Sequence, residues 1–426
     1  MPQIVAIIGL GYVGLPLACL CAEKGYEVRG FDTNAERVSA IRQGKSPIHD
    51  ESLEKKLPLF FEKMRVSTNP EEVLQGAEIF IVAVPTPAEK NLPDLKPLKS
   101  ACKTVSRFIS KNSLVIIEST IYPGTTEEIL QPILEKSGLK CNRDFFLGHC
   151  PERIDPGNRK FTLQNIPRVI ACTSKEGNEK ALAFYKSLID AEIVLLETVS
   201  EAEAVKVVEN TFRDVNIAFV NELAKSFEKM GIDLKQVIKG ASTKPFGFMP
   251  FYPGPGVGGH CIAQDPYYLI AKAKQCGFEH SFLKLAREIN NSMPSFAVSI
   301  TGRALKQKKL SFAGAKICLL GLAYKPNIDD TRESPALKIL GMLKKRNAKL
   351  SVFDPFVKKQ GNAASLEEAV EGADCVVLCT NHEQFAEALS PDFLESKGIK
   401  IVIDCRNCLD KKGITAKGIL YRGIGS

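Results

Sequence analysis

Short apolar runs punctuated by glycine or proline set the rhythm of the N-terminal part of the chain. IVAII (4–8) breaks into GLGYVG (9–14), an apolar stretch reaches AEKG (22–25), and EVRGFD (27–32) closes on a charge. Runs of four to eight apolar residues bounded by turns predict buried strands, and the longer run between them predicts a helix. GAEIFIVAVPTP (76–87) and SLVIIESTIYPGTT (113–126) repeat the form, each a strand entering a proline-containing turn. The pattern then changes. Residues 200–310 carry no strand-like run, and SEAEAVKVVENTFRDVNIAFVNELAKSFEKMG (200–231) has helical spacing up to Gly231, a helix stop.

Beyond that helix the strand rhythm restarts. AKICLLGLAYKP (315–326) echoes IVAIIGLGYVG, KLSVFDP (349–355) echoes EVRGFDT, and GADCVVLCTNH (372–382) echoes GAEIFIVAVPT. Such self-similarity predicts an α/β fold: two Rossmann-like doubly wound domains joined by a central helical domain with a long helix. The expected boundaries are 1–198, 199–310 and 311–426. A chain of 426 residues is consistent with two or three domains. An unpaired apolar face on the long helix would suit a dimer contact.

Gly9, Gly11 and Gly14 form G-x-G-x-x-G between a strand and a helix, the context in which this motif signals a dinucleotide. The first glycine permits the turn, the second lets a pyrophosphate approach, and the third packs helix on strand. The helix N-terminus offers its N–H groups to phosphate. Asp32 falls where an acceptor for ribose hydroxyls belongs and would repel a 2′-phosphate, favouring NAD over NADP. Glycines kept for packing alone are the other reading. The C-terminal copy has only Gly321 in this turn, so it should bind a different nucleotide group. Thr86 and Thr120 lie at strand ends, where they either face the nicotinamide or satisfy their own turns.

Charged residues make up 25% and hydrophobic ones 44%, an ordinary globular composition. The net charge of +8 permits anionic ligands, but without a long basic run it gives no sign of nucleic acid. No apolar run is long enough for a bilayer, and the N-terminus lacks a basic n-region, so neither membrane span nor signal peptide is expected. Thirteen scattered cysteines, an odd number, suit a reducing cytoplasm better than a disulfide framework. Cys405 and Cys408 form a lone CxxC, either a metal or redox pair or strand-end filler.

One cysteine has a different setting. PGPGVGGHCIAQDP (253–266) places Cys261 after four glycines, which lower side-chain bulk so that something other than protein can come close, and ahead of Asp265. Asp265 either orients a water or a lysine, or caps the helix beginning at PYYLIAKAKQ. Lys206 and Asn210, four apart on the long helix, share a face and can stabilise an oxyanion, or else form a polar stripe. Glu152, in GHCPERIDPGN (148–158), can activate water, or can pair with Arg153 at the surface. NAD, a thiol, an oxyanion pair and a carboxylate together suit a dehydrogenase that goes past the aldehyde to the acid.

In these motifs the chain resembles the UDP-glucose/GDP-mannose dehydrogenase family over nearly its whole length. The resemblance rests on GLGYVGLPLA (9–18), VPTP (84–87), EST (118–120), PER (151–153), Lys206 with Asn210, GGHCIAQDP (258–266) and GLAYKPNIDDTRESPA (321–336). KPFGFMPFYPGPGVGGHC (244–261) looks most like the branch acting on UDP-N-acetylglucosamine. The resemblance implies that Gly9, Gly11, Tyr12, Val13, Gly14, Asp32 and Arg37 hold NAD, with Thr86, Thr120 and Arg332 completing that site. It implies Cys261 as nucleophile, Lys206 and Asn210 as oxyanion donors, Asp265 as a positioner of water or lysine, and Glu152 as an aid to hydrolysis, with Thr120 among the catalytic set. Lys325 and the loop 251–258, including Phe251, Tyr252, Gly254 and Gly258, would grip a UDP-sugar beside Glu152, Arg153, Lys206 and Asn210.

Two departures stand out. UDP-glucose members often carry a second glutamate four residues beyond the first; here Pro156 takes that place and Asp155 is only a neighbour. Their arginine that reaches across the dimer has no counterpart at the same spacing, Lys244 being merely nearby. UDP-glucose, UDP-N-acetylgalactosamine and UDP-N-acetylmannosamine remain alternative substrates. A two-electron β-hydroxyacid-type dehydrogenase and a non-catalytic nucleotide-sugar sensor are the rival functions.

Overall fold

The computed structural model describes residues 3–48, 50–89, 92–154, 160–259 and 261–426, with the backbone alone at 51, 88, 89, 92 and 261. The chain folds into two compact units. The first is Met1–Glu209 with Tyr267–Phe278, the second Asn210–Pro266 with Glu279–Ser426.

The first unit is built on eight strands: β1 (Ile4–Ile8), β2 (Glu27–Phe31), β3 (Met64–Ser67), β4 (Ile79–Val82), β5 (Leu114–Ile117), β6 (Phe146–His149), β7 (Arg168–Cys172) and β8 (Ile193–Leu195). They lie in the order β8-β7-β6-β5-β4-β1-β2-β3. Central strands of a parallel sheet are covered on both faces, which is why β4 and β5 are apolar throughout. Ile7, Ile81 and Ile116 enter one core, whereas Ile8, Val82 and Ile117 enter the core on the other face. The two-residue side-chain period makes that division. Helix α1 (Gly14–Glu23) follows β1 as the glycine turn requires.

One pairing departs from an all-parallel sheet: β6 and β7 run antiparallel, with Gly148 opposite Cys172 and His149 opposite Ala171. This reversal brings the start of β7, Arg168, to the edge where the neighbouring strands end. Extended by three residues, the same register sets Arg168 against Glu152.

The second unit carries β9 (Lys316–Leu320), β10 (Lys349–Phe353), β11 (Cys375–Leu378), β12 (Ile401–Asp404) and β13 (Leu420–Gly423). All are parallel, in the order β10-β9-β11-β12-β13. The internal repeat holds down to single hydrogen bonds. In the first unit the Asp32 carboxylate, after β2, accepts the Leu10 N–H of the glycine turn at 2.8 Å. In the second, Asp354 after β10 accepts the N–H groups of Leu322 and Ala323 at 2.6 and 2.9 Å.

The segment between the sheets is helical as expected: α2 (Val199–Met230), a shorter helix Leu234–Ala241, α3 (Cys261–Gln275) and α4 (Ser281–Gln307). Gly231 ends α2 with a φ of +70°. Among the described residues no helix is long and apolar enough to cross a membrane.

Candidate active site

The dinucleotide motif meets each of its steric requirements. Gly9 has a φ of +93°, and a Cβ there would stand 2.6 Å from the Ala83 carbonyl oxygen. A Cβ on Gly14 would overlap the Gly9 carbonyl. At Gly11 a Cβ would meet nothing within 4 Å, so this glycine is not needed by the protein's own packing and leaves the room a pyrophosphate requires. Asp32 is buried and organised: Oδ1 accepts the Asn34 N–H at 2.8 Å, and Oδ2 pairs with Arg37 Nη1 at 2.9 Å. Val13 is half-buried and Tyr12 is exposed. The residues present therefore fit NAD.

Thr86 is buried, and its hydroxyl donates to the Thr120 carbonyl at 2.7 Å, tying the ends of β4 and β5 together. Its own carbonyl accepts from the Tyr268 hydroxyl. The Thr86 hydroxyl therefore bonds a neighbouring strand end rather than its own turn. Thr120 itself is half-buried.

Glu152 is not paired with Arg153 at the surface. Arg153 turns to Glu209 at 2.5 Å and to the Pro167 carbonyl at 2.9 Å, contributing only its backbone N–H to Glu152. The Glu152 side chain instead meets the fully buried Arg168, Nη2 to Oε2, at 3.2 Å. Arg168 also binds Glu118 at 3.1 Å, and the Tyr185 hydroxyl donates to the same Glu118 oxygen at 2.5 Å. Sequence reading missed all three of these partners. An arginine opening the otherwise apolar strand RVIAC was the signal that could have found them.

In the second unit the glycine loop is pinned from below. The Gly254 N–H donates to Asn221 Oδ1 at 2.9 Å, Asn221 Nδ2 donates to Asn290 Oδ1 at 2.9 Å, and Asn290 donates to Asp214. Phe251 packs edge-to-face on Phe212, and Tyr252 is exposed. The glycines answer to protein more than expected. A Cβ on Gly258 would come 2.7 Å from Tyr324 Cβ, and one on Gly254 would come 2.8 Å from Arg406 Nη1. Low bulk here lets the 321–333 segment and Arg406 close on the loop. Arg406, also unnoticed in the sequence, sits within the CxxC after β12 and donates its Nε to the Cys379 carbonyl at 2.9 Å. Cys408 Sγ lies 3.9 Å from Asp404 Oδ1, at the end of the same strand.

The 321–333 segment, which carries the half-buried Lys325, is clasped by a buried pair. His382 lies 3.1 Å from Asp354 through Nε2 and accepts the Asn327 N–H on Nδ1 at 2.9 Å. Arg332 belongs to this segment and lies on Asp330 at 2.6 Å.

Asp265 does not cap a helix. Helix α3 begins at Cys261, which puts Asp265 inside it, buried, where it accepts from Asn210 Nδ2. Arg213 donates to the oxygen of the same amide, so Asn210 is oriented from both ends. Lys206 is buried, and both Lys206 and Asn210 belong to α2. Cys261 supplies the first residue of α3, but its side chain, like Asp155 and Pro156, lies outside the described residues.

A glycine-turn dinucleotide domain, a second parallel sheet with a clasped lysine segment, and a glycine loop leading into a cysteine define the class of NAD-dependent UDP-sugar dehydrogenases. The chain belongs to the UDP-glucose/GDP-mannose dehydrogenase family: residues 3–189 match its NAD binding domain, 200–292 its central domain and 318–411 its UDP binding domain. It is 38% identical over 423 residues to a UDP-N-acetyl-D-mannosamine dehydrogenase of Pyrococcus horikoshii, covering 99% of both chains. It is also 38% identical over 417 residues to a UDP-N-acetyl-D-glucosamine 6-dehydrogenase of Pseudomonas aeruginosa, covering 96% of this chain and 97% of the other. The solved structure of UDP-D-ManNAc dehydrogenase from Pyrococcus horikoshii superposes with a TM-score of 0.93 at 38% identity, with 99% of each chain covered.

Proposed function

We propose that the chain oxidises the sixth carbon of a UDP-N-acetylhexosamine from alcohol to carboxylate, in a reducing cytoplasm, to supply uronic acid units for a polysaccharide. UDP-N-acetylglucosamine is the substrate suggested by the 244–261 stretch. UDP-N-acetylmannosamine is the second reading, favoured by the equal identity to the relative named for that sugar. The observation that carries the proposal is the polar constellation of the second unit. Asn210 is oriented by both Arg213 and Asp265, and Asp265 stands four residues along the helix that Cys261 begins.

NAD, when bound, supplies the hydride acceptor, twice for each uronate. The protein residues do the rest. Lys206, or a water held by Asp265, accepts the hydroxyl proton in the first oxidation. The Cys261 sulfur then bonds to the aldehyde carbon, and Lys206 with Asn210 Nδ2 holds the oxygen that becomes negative. A thiolate is a good nucleophile, and a thioester is a good acyl donor. After the second oxidation, water assisted by Glu152 replaces sulfur at the acyl carbon. Lys325, Arg406 and the loop carrying Phe251, Tyr252, Gly254 and Gly258 hold the UDP moiety, the cations facing its diphosphate.

The long helix supports a homodimer. Val208, Phe212, Phe219 and Met230 of α2 are between 47% and 64% exposed, more apolar surface than a helix usually leaves to water.

Turnover against a panel of UDP-sugars, with NADH counted per product and the product mass determined, tests the proposal. Two NADH and a uronate are expected. A single NADH would support the β-hydroxyacid rival, and binding without any absorbance change would support a sensor. Cys261→Ser should abolish uronate formation, because an alkoxide leaves an ester far less readily than a thiolate leaves a thioester. Uronate formed by this variant at the parent rate would exclude the covalent route.

A further inference from the structure

Arg168 is an expensive residue to place where it is. It is 1% exposed, opens a strand that is otherwise apolar, and faces two carboxylates, Glu118 and Glu152. A buried guanidinium is tolerated only when paired and hydrogen-bonded, and replacing such a cluster with apolar side chains is often neutral or stabilising. Folding alone therefore gives little reason to keep it.

The contacts show what it does for Glu152. Oε1 of that carboxylate accepts two backbone N–H groups, from Arg153 at 2.6 Å and Ile154 at 2.5 Å. Oε2 accepts Arg168 Nη2 at 3.2 Å. A carboxylate oxygen has two lone pairs, so after these three donors Oε2 retains one acceptor position. Behind Arg168, Glu118 is fully enclosed and accepts from both Arg168 and Tyr185. Glu152, at 6% exposed, is the member of the cluster nearest solvent. Burial, opposed by Arg168 and reinforced by Glu152, pushes Glu118 up to about 7.

We propose that Arg168, backed by Glu118 and Tyr185, is a positioning residue for thioester hydrolysis, fixing the Glu152 carboxylate so that one lone pair of Oε2 is left for water. The proposal rests on the reading that Glu152 assists cleavage of an acyl group from Cys261. In that step the water oxygen bonds to the acyl carbon while one water proton passes to Glu152 Oε2. The carbon–sulfur bond breaks with its electron pair on sulfur, and the proton on Glu152 then returns to the thiolate. The acid so formed ionises to the uronate. Arg168 changes neither protonation nor bonding in this sequence; it sets the direction of the base.

Pre-steady-state NADH formation and intact-protein mass spectrometry of quenched reactions test this. Arg168→Met should leave the initial burst of two NADH per site intact and slow later turnover by about a hundredfold, the usual scale for losing general-base help. A sugar adduct on the protein should accumulate during that phase. Arg168→Lys, keeping a cation, should recover part of the rate. Glu118→Gln keeps the shape of the cluster and serves where Arg168→Met fails to fold. It replaces one of the two carboxylates that hold the guanidinium, loosens its direction on Glu152, and should slow hydrolysis less than Arg168→Met does while sparing the burst. Equal loss of burst and turnover, or slowing without an adduct, would overturn the role of Arg168. A parent enzyme that makes no second NADH, or whose Cys261→Ser variant still yields uronate, would overturn the underlying reading instead.

Discussion

Asn221 offers a direct test of what holds the glycine loop. It is fully buried in α2, accepts the Gly254 N–H at 2.9 Å and donates to Asn290 Oδ1 at the same distance. Asn221→Ala strands one buried donor and one buried acceptor. Each unsatisfied group costs about 1–3 kcal/mol, so the second unit should lose about 2–4 kcal/mol once a water entering the vacated space recovers part. Asn221→Leu strands the same groups and excludes that water, so it should be the worse of the two. Urea unfolding followed by circular dichroism measures the loss. Steady-state kinetics should show KM for the UDP-sugar raised about tenfold, equivalent to about 1.4 kcal/mol of loop ordering now required on binding. Stability within about 0.5 kcal/mol of the parent, with leucine no worse than alanine, would show that this hydrogen bond does not anchor the loop.

Gly11 and Gly14 should separate ligand room from packing. Gly11→Ala meets no protein atom within 4 Å and should melt like the parent while losing at least about tenfold in NAD affinity by calorimetry. Gly14→Ala overlaps the Gly9 carbonyl and should destabilise the first unit before any ligand is added, as seen by circular dichroism. Burial alone would raise Asp354, but its bonds from His382 and from backbone N–H groups outweigh this and bring it from 3.8 to about 2. A depressed carboxylate contributes stability that is present above its ordinary value and lost as pH falls through the lowered one. Asp354→Asn should therefore cost the second unit about 2 kcal/mol at neutral pH, with the deficit shrinking between pH 4 and pH 2 in denaturant titrations.

The fold was legible because its signals are local. Central strands covered on both faces must be apolar throughout, so IFIV and LVII announced themselves, and Gly231 ended α2 where its left-handed backbone was needed. The antiparallel pairing of β6 with β7 was not legible, since nothing within RVIAC fixes its direction. Missing that reversal meant missing Arg168, and Glu152 was consequently weighed against its chain neighbour Arg153. Asp265 was misjudged as a possible cap because α3 starts earlier than the apolar run PYYLIAKAKQ indicates. The glycines of 254–259 were credited to ligand room, whereas the nearest neighbours of Gly254, Gly258 and Gly259 are Arg406 and Tyr324, from distant parts of the chain.

By itself the amino-acid order established two glycine-turn sheets, the helical segment between their sequences, and NAD as the cofactor of the first. Those follow from side-chain period, backbone freedom and chemical type, properties a residue carries wherever it is placed. Which carboxylate meets which cation, and which amide pins which loop, came only from the folded chain. Partners such as Arg168 with Glu118 and Asn221 with Gly254 are fixed by strand direction and helix packing over separations of 50 and 33 residues, which no local spacing encodes.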